Sequence, residues 1–150
     1  MTGSGNMRAG RQLRMSQWIK NWFSNMVPFD KPLIYQGISY ATPENFYQAM
    51  KTLNEDERRV IAGLDPHAAK RYARKIQIRP GWEVIKTEIM LDVLRYKFAK
   101  GTSWHKQLTE HQKPIVELNN WHDNFWGSCV CPKCGNKGLN HLGKIIESLR

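Results

Sequence analysis

No apolar run in the 150 residues approaches the roughly 18 that a membrane-spanning helix needs, so no such helix is expected. Cysteine is scarce: Cys129, Cys131 and Cys134 are all there is, and they sit within six residues. An odd, clustered set of that kind argues against a secreted disulfide framework. The polar start, Met1 to Asn6, leads into no signal-peptide core, so a cytoplasmic protein with no membrane association is expected. Internal repeats and low-complexity tracts are missing as well. Acidic residues are outnumbered, 13 Asp and Glu against 23 Lys and Arg, for a net charge of +10. A field of that sign favours polyanions or phosphate-bearing ligands. Charge alone does not choose among DNA, RNA and a nucleotide.

What is present suits one globular domain, with 41% hydrophobic and 24% charged residues. Residues 1–17 read as a flexible basic leader punctuated by Arg8, Arg11 and Arg14. Order is expected from Trp18, with Ile19, Trp22 and Phe23 as apolar anchors. Leu33-Ile34-Tyr35 and Ile38-Ser39-Tyr40 flank Gln36-Gly37, the pattern of a short β-hairpin. Thr42-Pro43-Glu44 opens a helix expected to reach Leu53. Phe46, Ala49, Met50 and Leu53 share its apolar face, and Glu44, Tyr47, Gln48 and Lys51 line the opposite, polar one.

Asn54 and Asp65-Pro66 cap two further short helices, and the second carries Lys70, Arg71, Arg74 and Lys75 on its outer face. A long helix is expected from Trp82 to Lys100, with apolar stripes Trp82, Ile85, Ile89, Val93, Tyr96 and Met90, Leu94, Phe98. One more turn is expected from Ser103 to Leu108. Pro114 to Leu118 reads as a strand, Asn119 to Lys137 as a loop, and Gly138 to Leu149 as a final helix. The fold class is α+β, mostly α, with a short hairpin.

Three segments carry chemistry. In Asn119 to Gly127, Trp121, Phe125 and Trp126 alternate with amide, imidazole and carboxylate groups, a combination that stacks on a flat base and reads its polar edge. The same residues can equally plug a core. Glu44 and Lys51 lie on one helix face but about 10 Å apart along it, too far to pair directly. Cys129-x-Cys131-x-x-Cys134 has the spacing of a metal knuckle. A fourth ligand from His122, His141 or a remote group would complete it. His141 is taken with the three thiols as the candidate set for a structural zinc.

The order of segments then becomes informative. Phe23-Ser24-Asn25 precedes Glu44-Asn45-Phe46-Tyr47-Gln48-Ala49-Met50-Lys51. Leu64-Asp65-Pro66, the run Trp82 to Phe98 and Ile115-Val116-Glu117 follow, and Asp123-Asn124-Phe125-Trp126-Gly127 with Asn140-His141-Leu142-Gly143 closes the series. Over about residues 18–150 the chain resembles the NADAR family, also called YbiA-like. The resemblance implies a compact, mainly helical single domain related to the riboflavin-pathway N-glycosidase. It implies an N-glycosyl hydrolase that cleaves the bond from a base or amine nitrogen to ribose C1 and requires no cofactor. Two substrate classes follow from it: ADP-ribose carried on guanine bases of nucleic acid, and nucleotide-like ribosylamino-pyrimidine phosphates. A module that binds ADP-ribose or NAD without chemistry is the non-catalytic alternative. The sequence sets no oligomeric state.

Carried over residue by residue, the resemblance makes Glu44, Lys51 and Asp123 the catalytic candidates. Phe23, Asn25, Tyr47, Gln48, Trp121, Trp126, Gly127 and Asn140 become candidates for substrate binding. Glu44 or Asp123 would orient or deprotonate the nucleophile. A neutral Lys51 amine would trap a ring-opened sugar as a Schiff base. Desolvation would favour that neutral form and a close Glu44 would oppose it. Arg79 or a cation of the third helix would meet a diphosphate. The Cys-rich stretch between Gly127 and Gly138 departs from the family pattern, in which shorter Gly-rich loops are usual.

Overall fold

Local rules account for most of the elements. In the computed structural model, which describes residues 23–150, β1 (Leu33–Tyr35) pairs antiparallel with β2 (Ile38–Tyr40), with Leu33 opposite Tyr40 and Tyr35 opposite Ile38. Gln36 (φ 49°) and Gly37 (φ 78°) are both left-handed, the two-residue turn whose twist matches that of the strands. The basic leader and the anchors Trp18, Ile19 and Trp22 lie outside the described residues. Among those described there are six helices, and none is long and apolar enough to cross a membrane. The architecture is mostly α with a small hairpin, as expected. Residues 23–106 form one contact cluster and 107–150 another.

Within residues 23–106, α1 (Pro43–Ala49) is capped by Thr42, whose Oγ1 accepts from Asn45 N at 3.0 Å, and Pro43 occupies its first turn. All seven of its residues are buried. The polar side chains Glu44, Tyr47 and Gln48 are therefore interior. The helix stops four residues before the expected Leu53, and Leu53 is 65% exposed instead of contributing to an apolar face. The reason is tertiary: α2 (Glu55–Gly63), α3 (Pro66–Ala73) and α4 (Trp82–Lys97) all pack on α1 and cover both of its sides. Asn45 ties α1 to the end of α2 by donating from Nδ2 to the Ile61 and Leu64 carbonyls, each at 2.8 Å.

The expected caps of α2 and α3 form. Asn54 Oδ1 accepts from Glu57 N, and Asp65 Oδ1 accepts from His67 N and Ala68 N. On α4, Trp82, Met90, Val93 and Leu94 are buried, whereas Tyr96 is exposed and donates its hydroxyl to the Lys31 and Pro32 carbonyls. Lys97 is 1% exposed, an apolar-face position that the sequence pattern assigned to no side chain. Its ammonium donates to the Ser24 carbonyl at 2.7 Å and lies 5.3 Å from the Phe98 ring and 5.4 Å from the Trp104 ring. Burial lowers its pKa to about 7. A fifth helix, α5 (Ser103–Glu110), follows, two residues longer at its end than expected.

Within residues 107–150, the strand expected at Pro114 to Leu118 contracts to β3 (Leu118–Asn119). It pairs in parallel with β4 (Ser128–Cys129), inside the stretch read as loop. Two residues on each side are too few for an alternating pattern to announce them. The last helix, α6 (His141–Ser148), buries Leu142 and Ile146 as expected.

Candidate active site

The residues singled out in 23–106 come together around α1. Glu44 is 7% exposed, and its Oε1 accepts from Gln48 Nε2 at 2.8 Å, one turn along the helix. The backbone N–H of Glu44 donates to the Asn25 carbonyl at 3.0 Å, which holds the Phe23-Ser24-Asn25 strip against the start of α1. Among the described residues, three buried side-chain polar atoms lack a hydrogen-bond partner: Asn25 Oδ1, Gln48 Oε1 and Tyr40 Oη. Two of these belong to side chains beside Glu44, and an unsatisfied buried acceptor is what a ligand-binding position leaves open. Phe23, by contrast, is fully enclosed and packs edge-on against Phe98 with 5.8 Å between centroids.

Lys51 lies just past the end of α1, with its Nζ 5.4 Å from the Tyr47 ring centre. Tyr47 in turn packs on Trp82 at 5.2 Å. Of the two opposing effects on Lys51, desolvation outweighs Glu44. Burial lowers the Lys51 pKa most, Glu44 pulls the other way, and Lys70, Lys86 and Arg74 add further lowering. Three cations, Lys70 of α3, Arg74 just past its end and Lys86 of α4, thus act electrostatically on Lys51. Arg79 is fastened next to it, donating its backbone N–H to the Lys51 carbonyl at 2.8 Å and its guanidinium to the Met50 carbonyl at 3.4 Å. A separate cavity of about 340 Å³, lined by Phe29, Asp30, Lys31, Tyr96 and Lys97 among others, includes none of Glu44, Gln48 or Lys51.

In residues 107–150 the loop candidates have structural duties. Asp123 Oδ1 accepts from the backbone N–H groups of Phe125 (3.1 Å) and Trp126 (3.0 Å). Asn119 Oδ1 accepts from Trp121 N and Asp123 N, and its Nδ2 donates to the Asp123 carbonyl. Asn119 was not among the sequence candidates; its side chain organises the loop that contains them. Trp121 is 56% exposed, so it is no core plug, whereas Trp126 is half-buried. Asn140 spans two backbone groups, accepting from Glu117 N and donating to the Ile115 carbonyl, both at 2.9 Å. A Cβ on Gly127 would stand 2.2 Å from the Glu117 carbonyl oxygen, so only glycine fits.

The three cysteines and one histidine also gather there. The histidine is His122: one ligand atom from each of His122, Cys129, Cys131 and Cys134 lies within 4.8 Å of the others. The cysteine spacing leaves both histidines open, and His141, taken above as the fourth ligand, is not the one beside the thiols. His141 instead lays its ring against Phe125, 4.6 Å between centroids, and starts α6.

With this geometry in hand, the relatives define the class. The family profile described as the NADAR domain matches residues 8–150, and the chain belongs to that family. Its relatives make it an enzyme of the N-glycosidase type. An N-glycosidase of Nostoc punctiforme is 33% identical over 136 residues, 85% of this chain and 82% of that protein. The NMR structure of the E. coli protein YbiA, itself named an N-glycosidase, superposes with a TM-score of 0.67 at 31% identity, over 85% of this chain and 74% of that one. A riboflavin biosynthesis protein of Vibrio vulnificus is 29% identical over 76% of this chain but only 31% of its own length.

Proposed function

We propose that this protein hydrolyses the bond between ribose C1 and a base nitrogen, releasing ADP-ribose from guanine in nucleic acid. The observation that carries this reading is the setting of Lys51 and Glu44. A desolvated amine and a buried carboxylate lie on one short stretch of chain, with Lys70, Lys86 and Arg74 acting on the amine. That arrangement supports a negatively charged, phosphate-bearing sugar substrate. The net charge of +10 favours a polyanionic carrier over a small free intermediate.

Cleavage develops oxocarbenium character at C1, which a carboxylate stabilises. Glu44 takes this role and later receives a proton from the water that hydrolyses the sugar–Lys51 adduct. Asp123, whose Oδ1 is occupied by two backbone donors, holds its turn. Lys51 in its neutral form attacks C1 of the ring-opened sugar; the C1–N bond to the base breaks as an amine proton of Lys51 passes to the leaving nitrogen, and the Schiff base that remains adds water at C1 and releases the sugar, which restores the amine. Asn25 and Gln48 offer their unpartnered acceptors to ribose hydroxyls, and Arg79 is placed for a diphosphate. None of these steps uses a cofactor, and a metal at the cysteine cluster would be structural.

A second reading, hydrolysis of a ribosylamino-pyrimidine phosphate, is favoured by the name of the Vibrio vulnificus relative. The test is a substrate panel of an ADP-ribosylated guanine oligonucleotide, free ADP-ribose conjugates and ribosylamino-pyrimidine phosphate. Release of ADP-ribose from the oligonucleotide is expected. Turnover of the pyrimidine phosphate alone would select the second reading. Calorimetric binding of ADP-ribose with no turnover of any substrate would make the protein a binding module.

A further inference from the structure

We propose that His122, Cys129, Cys131 and Cys134 bind one structural Zn²⁺ that holds the tryptophan loop in shape. The Sγ of Cys134, Cys131 and Cys129 stand 3.3, 3.5 and 3.7 Å from His122 Nδ1. For Zn–S of about 2.3 Å and Zn–N of about 2.0–2.1 Å, a tetrahedron has an N···S edge of about 3.6 Å. The three distances scatter around that edge, and four ligands leave no open position, which marks a structural centre and not a catalytic one. The donor set, three thiolates and an imidazole, selects zinc over the oxygen-preferring Mg²⁺ and Ca²⁺.

The backbone is shaped to present these ligands. His122 has φ 69°, an uncommon conformation for a residue with a side chain, and it aims the ring at the thiols. After Cys131, the chain turns back on itself: Cys134 N donates to Cys131 Sγ at 3.4 Å, and Gly135 N donates to the Cys131 carbonyl at 2.9 Å. Asn136 N returns to the Cys129 carbonyl at 2.9 Å, and Gly135 and Asn136 are both left-handed. Cys129 is rooted in β4 and fully buried, so the site is attached to the parallel pair with β3. The stretch that departs from the family pattern is therefore a complete metal knuckle, closed by a histidine adjacent to Trp121.

The test uses the full chain, purified under reducing conditions without added zinc. Elemental analysis should find about one equivalent of zinc per chain. It should be retained in His141→Ala and lost in Cys131→Ser. Cobalt added to the chelated wild type should give thiolate-to-metal charge-transfer bands of a tetrahedral site, so that poor folding of Cys131→Ser does not decide the outcome. Chelation should speed tryptic cleavage at Lys133 and Lys137, both inside the knuckle and its exit. Metal-free reduced protein without those cobalt bands would overturn the proposal, as would a disulfide among the three cysteines or stoichiometric iron in place of zinc. Tryptic cleavage unchanged by chelation would overturn the loop-holding role. All these readouts are independent of glycosidase turnover.

Discussion

Gln48 Nε2 donates to Glu44 Oε1 across one turn of α1, at 2.8 Å and with both side chains buried. The contact fixes the carboxylate in one orientation and leaves its second oxygen for a water or a sugar. Glu44→Gln retains the acceptor and the volume but removes the base. Turnover should fall by about 10²–10⁴-fold, with the melting temperature within a few degrees of wild type. A rate near wild type would remove Glu44 from the chemistry.

Lys51 should behave as an amine that loses its proton below the ordinary lysine range. Turnover should rise with pH as the neutral form is populated, and Lys51→Arg, which does not deprotonate, should be inactive. Arg74→Met removes one of the cations that lower the Lys51 pKa, so the rising limb of kcat should move to higher pH. Borohydride added during turnover should leave a reduced sugar adduct on Lys51, read by peptide mass. A flat profile in kcat with no adduct would confine Lys51 to electrostatics.

Lys97 gives a stability prediction of definite sign. Its folded pKa of about 7 lies below its ordinary 10.5, so between these values the unfolded chain binds more protons. Stability should therefore rise with pH above about 7 and be insensitive to this group below it, with a slope of roughly 1 kcal/mol per pH unit. The Ser24 carbonyl and the Phe98 and Trp104 rings favour the ammonium and act to narrow the pH window of this effect from its lower end. Urea unfolding of wild type and Lys97→Met at pH 7 and pH 9 isolates the effect, since the variant should lack it.

Gly127→Ala should lower stability by about 3 kcal/mol or more, because the new methyl meets the Glu117 carbonyl and cannot be relieved by a side-chain rotation. Urea midpoints measure this directly. A midpoint equal to wild type would show that the backbone at Glu117 yields.

The hairpin and the caps of α1, α2 and α3 were legible because each depends on a few neighbouring residues: Gln36-Gly37, Thr42, Asn54 and Asp65. What escaped was tertiary. Burial of the Glu44–Gln48 face required three other helices to pack on α1, and helical spacing alone reads that face as wet. The buried amine of Lys97 interrupts an otherwise apolar pattern, so periodicity passes over it. His122 lies 9 residues before Cys131 and His141 10 residues after it, so spacing alone does not choose between them, and it is the left-handed backbone at His122 that turns its ring to the thiols. Asn119 carried no motif of its own, because its role is to satisfy backbone donors that exist only once the loop has formed.

Complete enclosure of α1 bears on how such a protein can diversify. All seven of its positions are held by packing neighbours, and Glu44 and Gln48 carry the proposed chemistry as well, so replacements at those two are punished twice. Variation is tolerated best at solvent-facing positions such as Arg71 and Lys75, where it leaves the interior untouched. Directed libraries seeded at those exposed sites should retain folded clones at a far higher rate than libraries seeded along the helix.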